Sequence, residues 1–245
     1  MTELWQFRYS PYNEKARWAL ALKGVAYAPK PVLPGPHLRT IRKLSGQTAT
    51  PVLVMDGEVT ANSADILARL ERAFPDPPLY PADPAEIEDA LGWQRRFDEA
   101  LGPRMRRAVL DVMLGDLGYV AETFAGGRAW PVRAFYRAGL PLAAGLIRKG
   151  NGIAGPADAA DGHRAIDEAF GLVEDAAGES GYLVGGHFTV ADLTAASMLA
   201  TVVDPDHPDM KRPRPMPSAV HDLIAAHAAR PGAEWVREIY RRHRP

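Results

Sequence analysis

The chain contains no cysteine. That absence removes structural disulfides, thiol redox chemistry carried by the protein itself, and thiolate-bound zinc. Seven histidines are present without metal spacing; His221 and His227, six apart, do not fall on adjacent turns of one helix face. Asp204-Pro205-Asp206-His207-Pro208-Asp209 gathers carboxylates but lacks the glycine and distal glutamate of an EF-hand. It reads as a polar, proline-rich loop, and no metal is expected. An excess of either charge is also missing: 29 Lys and Arg stand against 30 Asp and Glu, for a net charge of -1. The overall balance therefore predicts neither nucleic-acid nor membrane partners. The clusters Arg104, Arg106, Arg107 and Arg241-Arg242-His243-Arg244 read as solvated helix faces. Long apolar runs are missing too. The most apolar stretch, Ala138 to Ile147, has ten residues, and a bilayer span needs about 20. The start, MTELWQF, lacks the charged and apolar regions of a signal peptide, so a cytoplasmic location is expected.

What is present is ordinary for a globular protein: 47% apolar and 24% charged residues, in a length of 245 that suits two domains. Residues 3–8 alternate around Trp5 and Phe7 and predict a strand. Ser10-Pro11 starts a helix that Gly24 ends, with Ser as N-cap and Pro at the first helical position. Residues 26–33 predict a second strand, whose Pro29 and Pro31 suit a sheet edge. A short helix over 37–44 and a strand over 51–55 follow; Asp56-Gly57 signals a hairpin returning through Glu58-Val59-Thr60. An amphipathic helix over 62–74 closes a βαβαββα order and a mixed four-stranded sheet with helices on both faces. Five prolines between 75 and 84 predict a linker.

Beyond the linker the pattern is helical: 85–113, then 116–150 interrupted by Gly126-Gly127 and Pro131, then 159–177, 190–203, 216–229 and 231–243. Residues 205–217 read as a surface loop, and the unusually apolar 129–150 as core packing, ahead of a cap over the pocket or a dimer contact. Thr189 and Asp192 spell a capping box, with Phe188 and Leu193 as its staple, a stability device worth about 1 kcal/mol. The organisation expected is α/β followed by all-α: a first domain over 1–76, a linker over 77–84, and a helical domain over 85–245.

Four segments in this order resemble the cytosolic glutathione transferase family, and the likeness covers nearly the whole chain. SPYNEKARWALALKG is similar to the active-site loop and first helix of Ser- and Cys-type members, its second half close to the zeta-class version. TPVLVMDG is similar to the family's cis-proline strand, NSADILARLE to the motif that holds the γ-glutamyl end of glutathione, and TVADL to the family's buried capping box. The resemblance, to a bacterial-type member, implies a thioredoxin-like N-terminal domain, an all-helical C-terminal domain, glutathione as co-substrate, a small electrophilic second substrate and a homodimer. It implies no metal.

It also explains one loop. Ser10-Pro11-Tyr12-Asn13 has the outline of a Cys-Pro-Tyr-Cys redox site without its sulfurs. A helix N-terminus favours an anion; with no thiolate in the protein, the anion can arrive as the glutathione thiolate. The resemblance makes Ser10 the hydroxyl donor to that sulfur, in competition with its role as an N-cap, and leaves Tyr9 as a rival donor. Tyr12 is expected as a wall of the second-substrate pocket, and Asn13 as either an amide donor to sulfur or a solvent-facing residue. The family match further implies Thr50, before a cis Pro51, as the backbone partner of the cysteinyl unit. Ser63 is implied for the γ-glutamyl carboxylate, with Gln47 and His37 for the glycyl carboxylate. Asn62 departs from the family's usual Glu or Asp, leaving a weaker partner for the ligand's ammonium group, with Asp65 as a substitute. Arg17 reads as a structural cation. Arg104 and Arg107 are candidates for the second pocket. For the dimer, Arg69, Arg72 and Phe74 are expected to face Glu86, Glu88 and Asp89 of a second copy. A non-catalytic ligand-binding or interaction protein of the same fold is the alternative.

Overall fold

The computed structural model describes residues 1–245. Its first part runs β1 (Glu3–Gln6), α1 (Pro11–Leu22), β2 (Ala28–Pro31), α2 (His37–Ser45), β3 (Val52–Met55), β4 (Glu58–Ala61) and α3 (Ser63–Ala73). The sheet order is β2-β1-β3-β4, with β1 and β2 parallel and the other two pairs antiparallel. Pro29 and Pro31 lie on the edge strand, where a missing N–H costs no ladder bond. Asp56 and Gly57 both take positive φ, 56° and 83°, which makes the hairpin turn between β3 and β4.

The chain then passes through 74–83 without a helix or strand and enters α4 (Pro84–Arg95). This passage is fastened. Leu79 is buried; its N–H reaches Glu71 at 3.1 Å and its carbonyl accepts from Val190 at 2.8 Å. A π-helical turn, Arg96–Leu101, joins α4 to α5 (Gly102–Met113). Then follow α6 (Leu117–Ala125), α7 (Trp130–Gly150), α8 (Pro156–Ala177), α9 (Val190–Val203), α10 (Ser218–Ala225) and α11 (Pro231–His243).

All of α9 is buried, and α1, α4 and α11 pack around it. Its start is the capping box: Thr189 N–H donates to Asp192 at 2.8 Å, Ala191 N–H donates to the Thr189 hydroxyl at 3.2 Å, and Leu183 N–H adds 2.9 Å to the same carboxylate. Trp18 of α1 is fully buried against the rings of Tyr240 (4.6 Å) and Phe188 (5.7 Å), and its indole N–H donates to the His243 carbonyl at 2.8 Å. One hydrophobic core therefore spans the sheet half and the helical half. Cutting a Trp in such a place to Ala costs about 3–5 kcal/mol.

Two expectations about the helical half fail. Residues 129–150 pack into the core along one narrow side only: on α7 just Tyr136 and Leu140 are buried, with Ala144 and Ile147 partly buried against the core. Its apolar residues outnumber what one buried stripe can use, so the rest face outward. Conversely, part of 205–217 is no surface loop. Met210 and Arg212 are buried, and Arg17 of α1 reaches the Asp209 carboxylate at 3.5 Å and the Met210 sulfur at 3.6 Å.

Candidate functional site

Strand pairing decides which chain ends meet. Gln6 stands opposite Pro31, Trp5 opposite Val52, and Val52 opposite Ala61. The exits of β1, β2 and β4 and the entry of β3 thus share one edge of the sheet. α1 and α3 start from that edge, so two helix N-termini, each favouring an anion, open toward the same side. Between them lies the Thr50–Pro51 peptide, which is cis.

Ser10 occupies the N-cap position of α1 with extended backbone (φ −95°, ψ 131°), yet its side chain makes no capping hydrogen bond. The competition between cap and donor is absent: the hydroxyl is half-buried and uncommitted beside the first turn. Thr50 takes part in no backbone hydrogen bond, so its N–H and C=O are open to an extended ligand. Asn13 is neither solvent-facing nor aimed outward. It is fully buried and donates its amide to the Thr50 hydroxyl at 3.2 Å, placing it behind the ligand surface as a support for Thr50. Its second amide atom has no partner.

Asn62 carries α3. Its side-chain oxygen accepts from Ala64 N–H at 2.8 Å and Asp65 N–H at 3.4 Å, and its φ is +73°, a conformation Asn tolerates. Ser63, the first helical residue, is buried to 4% exposure. Asp65 is exposed in the first turn. On the other flank, Gln47 has a buried amide nitrogen without a partner, while His37 stacks edge-on to Phe7 at 4.7 Å and burial lowers its pKa.

Toward the helical half stand two tyrosines. The Tyr12 hydroxyl donates to the Asp98 carbonyl in the π-helical turn at 2.8 Å, and burial pushes its phenol up to about 12. Gly102 permits this approach: a Cβ there would lie 2.5 Å from the Tyr12 oxygen. Beneath it, fully buried Lys15 holds Asp98 at 2.6 and 2.7 Å. Tyr9 is half-buried, which raises its phenol pKa, and the Arg8 guanidinium over its ring at 5.6 Å pulls the other way.

Arg104 and Arg107 are not in this cleft. Arg104 binds Asp161 with two bonds of 2.9 Å and Glu168 at 3.0 Å, and Arg107 reaches Asp161 at 3.5 Å, bolting α5 to α8. The cation whose charge reaches the Tyr12 phenol is Arg106, exposed and free of any ion pair. The signal for it was the interval of four from Gly102, which puts both on one face of α5. Arg17 is indeed built in, bonding Glu14 and Gln6 at 2.8 Å. No group of three or more His, Asp or Glu converges as a metal site.

The family model described as glutathione S-transferase, N-terminal domain, matches residues 4–78, and the corresponding C-terminal domain model matches 156–242. Glutathione S-transferase U4 of Arabidopsis thaliana is 33% identical over 100 residues, 40% of this chain and 44% of that protein. A probable maleylacetoacetate isomerase of Caenorhabditis elegans is 35% identical over 112 residues, 45% and 52% of the two chains. The chain thus spans about half the length of the curated relatives it matches, 44% and 52% in these two cases. Among solved structures, the theta class glutathione S-transferase of Xanthomonas axonopodis pv. citri, with glutathione bound, aligns over 95% of both chains with TM-score 0.58 and 20% identity. The beta-etherase LigF of Sphingobium aligns over 97% and 98% with TM-score 0.63 and 18% identity. At such identities the two structures speak for the fold alone.

Proposed function

Since this chain belongs to the glutathione transferase family, we propose that it is a transferase whose Ser10 holds the thiolate of glutathione for attack on a small electrophile. The observation that carries the reading is the uncommitted Ser10 hydroxyl at the N-terminus of α1, on the same sheet edge as the open backbone of Thr50 and the start of α3. Glutathione brings the thiol. Ser10 donates its O–H to the sulfur, the thiol proton leaves to solvent, and the sulfur forms a bond to carbon as the leaving group departs or a double bond accepts the pair. A free thiol titrates near 8.5; lowering it by about 2 units takes about 2.7 kcal/mol, within reach of one charge-assisted bond and a helix terminus.

In this reading Thr50 pairs with the cysteinyl unit like an added strand, Ser63 and the α3 N-terminus take the γ-glutamyl carboxylate, and Gln47 takes the glycyl carboxylate. Asn13 acts through Thr50. The second substrate lies between Tyr9, Tyr12 and Arg106, and the free guanidinium favours an anionic or carbonyl-bearing electrophile. Isomerase or dehalogenase chemistry is within the same reaction type. The reading divides the chain at 1–76, 77–84 and 85–245 and takes it as a homodimer. Arg69 is already spent on Glu58, Thr60 and the Met55 carbonyl, so the dimer contact falls to Arg72 and Phe74 against Glu88 and Asp89 of the second copy.

One observation favours the non-catalytic alternative: the Asn62 oxygen is committed to capping α3 and is a poor partner for an ammonium group. Two measurements separate the readings. Calorimetry with glutathione should give binding, and Ser10→Ala should lower turnover of an accepted electrophile about 10- to 1000-fold. Binding without turnover by any electrophile supports the alternative. Unchanged turnover in Ser10→Ala with an inactive Tyr9→Phe moves the donor role to Tyr9.

A further inference from the structure

The outward face of α7 is apolar. At 3.6 residues per turn, Pro131, Phe135, Ala138, Leu142 and Leu146 fall on one side, away from the buried Tyr136 and Leu140. Phe135 is 84% exposed, Leu142 87% and Leu146 74%, with Trp130 at 78% in the first turn. Single exposed apolar residues need no account, but a contiguous patch of this kind does. Phe135 with about 150–250 Å² of side chain and the two leucines bring the stripe toward the size of a functional patch, and Trp130 stands on its flank.

The charge around the face has one sign. Between Glu122 and Asp158 the chain has no acidic residue and five basic ones: Arg128, Arg133, Arg137, Arg148 and Lys149. Arg133 is paired with Glu122 at 2.8 Å and Arg148 with Asp111, and Arg128 donates to the Pro31 carbonyl. Arg137 and Lys149 enter no ion pair. The helical period puts Lys149 in line with the apolar stripe and Arg137 and Arg148 on one flank of it, whereas Arg133 falls on the side of the buried Leu140. With Glu122 and Asp111 set against their partners, an excess of three positive charges remains, which the net charge of -1 for the whole chain conceals.

A second copy on this face would bury Lys149 and Arg137 with no carboxylate on either α7 to receive them. A layer with hydrocarbon below and anionic groups above meets both features at once: Phe135, Leu142, Leu146 and Trp130 enter the apolar boundary while the long Arg and Lys stems carry their charges to the headgroups. No helix of the structure is long and apolar enough to cross a membrane, and a helix with a charged flank suits lying in the surface rather than spanning it. We propose that α7 docks the protein peripherally on an anionic lipid surface through its Phe135–Leu142–Leu146 face.

The test is flotation with two kinds of vesicle: phosphatidylcholine alone, and phosphatidylcholine with about one-third phosphatidylglycerol. Wild-type chain should float only with the second kind, and less so at high salt. Leu142→Glu should weaken partitioning about tenfold or more, as should Arg137→Gln combined with Lys149→Gln. These side chains are at the surface, so circular dichroism should show the fold retained. No flotation with phosphatidylglycerol, or equal flotation with neutral vesicles, would overturn the proposal. So would light scattering that finds a wild-type dimer converted to monomer by Leu142→Glu, because a second copy would then cover the face.

Discussion

Glycine in a helix normally costs about 0.5–1 kcal/mol relative to alanine, so Gly102→Ala should stabilise the start of α5 unless something occupies the space. Here the new Cβ would stand 2.5 Å from the Tyr12 oxygen and 2.7 Å from the Phe97 carbonyl. Tyr12 can swing aside only by giving up its 2.8 Å bond to the Asp98 carbonyl, a loss of about 1 kcal/mol. The Phe97 carbonyl is backbone of the π-helical turn and yields only if that turn shifts, and overpacking of this kind costs about 1–3 kcal/mol. After the alanine's own gain, a net loss of about 1–3 kcal/mol remains, a fall in Tm of roughly 3–10 °C for a chain of this size. Gly92 and Gly171 are the controls, since a Cβ on either meets nothing within 4 Å; their alanine variants should melt at or above wild type. In a Tyr12→Phe background the same Gly102→Ala change should cost about 1 kcal/mol less, because one of the two close contacts is gone. Thermal melting followed by circular dichroism reads all of these. KM for glutathione should rise in Gly102→Ala, because Tyr12, which must move, lies in the first turn of α1, whose N-cap position Ser10 holds. A higher melting temperature for Gly102→Ala would refute the close packing of α1 on the π-helical turn.

Three further outcomes follow from the same geometry. Asn62→Asp keeps an oxygen for the α3 cap, adds charge at a helix N-terminus and supplies an ammonium partner, so calorimetry should show glutathione binding tighter by up to about 1.5 kcal/mol; weaker binding would argue that the ligand is not glutathione. Burial lowers the Lys15 pKa and raises that of Asp98, so either single replacement, Lys15→Met or Asp98→Leu, should cost about 3–5 kcal/mol in urea denaturation, and the double replacement much less; additive losses would refute the pairing argument. Burial pushes the Asp192 carboxyl up to about 6 against the three hydrogen bonds it accepts from Leu183 and Thr189. The native chain then holds a proton that the unfolded chain has released, so stability should fall by up to about 3 kcal/mol as pH rises from about 4 to 6, and Asp192→Asn should flatten that slope.

Local signals read well. The Ser10-Pro11 start, the Asp56-Gly57 turn and the Thr189–Asp192 box each rest on chemistry within a few residues, and each stands in the structure where that chemistry puts it. The edge position of β2 was legible as well, since two prolines mark it. What the sequence concealed depends on partners distant in the chain. A 3.6-residue period says that one face of a helix is apolar, not whether anything covers it, and α7 is the result. The pairing of buried Arg17 with the more exposed Asp209 spans 192 residues and has no local mark. Three arginines in Arg104-Met105-Arg106-Arg107 look alike in sequence; only the position of Asp161 on α8 separates the two that brace the helices from the one beside Tyr12. The π-helical turn left no signal beyond Gly102, and neither reading of Asn13, sulfur donor or solvent-facing residue, found its partner, because Thr50 comes from another strand loop.

The central claim is that Ser10 and the N-terminus of α1 hold the thiolate of glutathione. Titrating the absorbance of the bound thiolate against pH measures this directly. In the wild type the bound thiol should titrate about 2 units below its free value of about 8.5, and in Ser10→Ala it should return most of the way. Bound glutathione that titrates at its free value in the wild type would contradict the account.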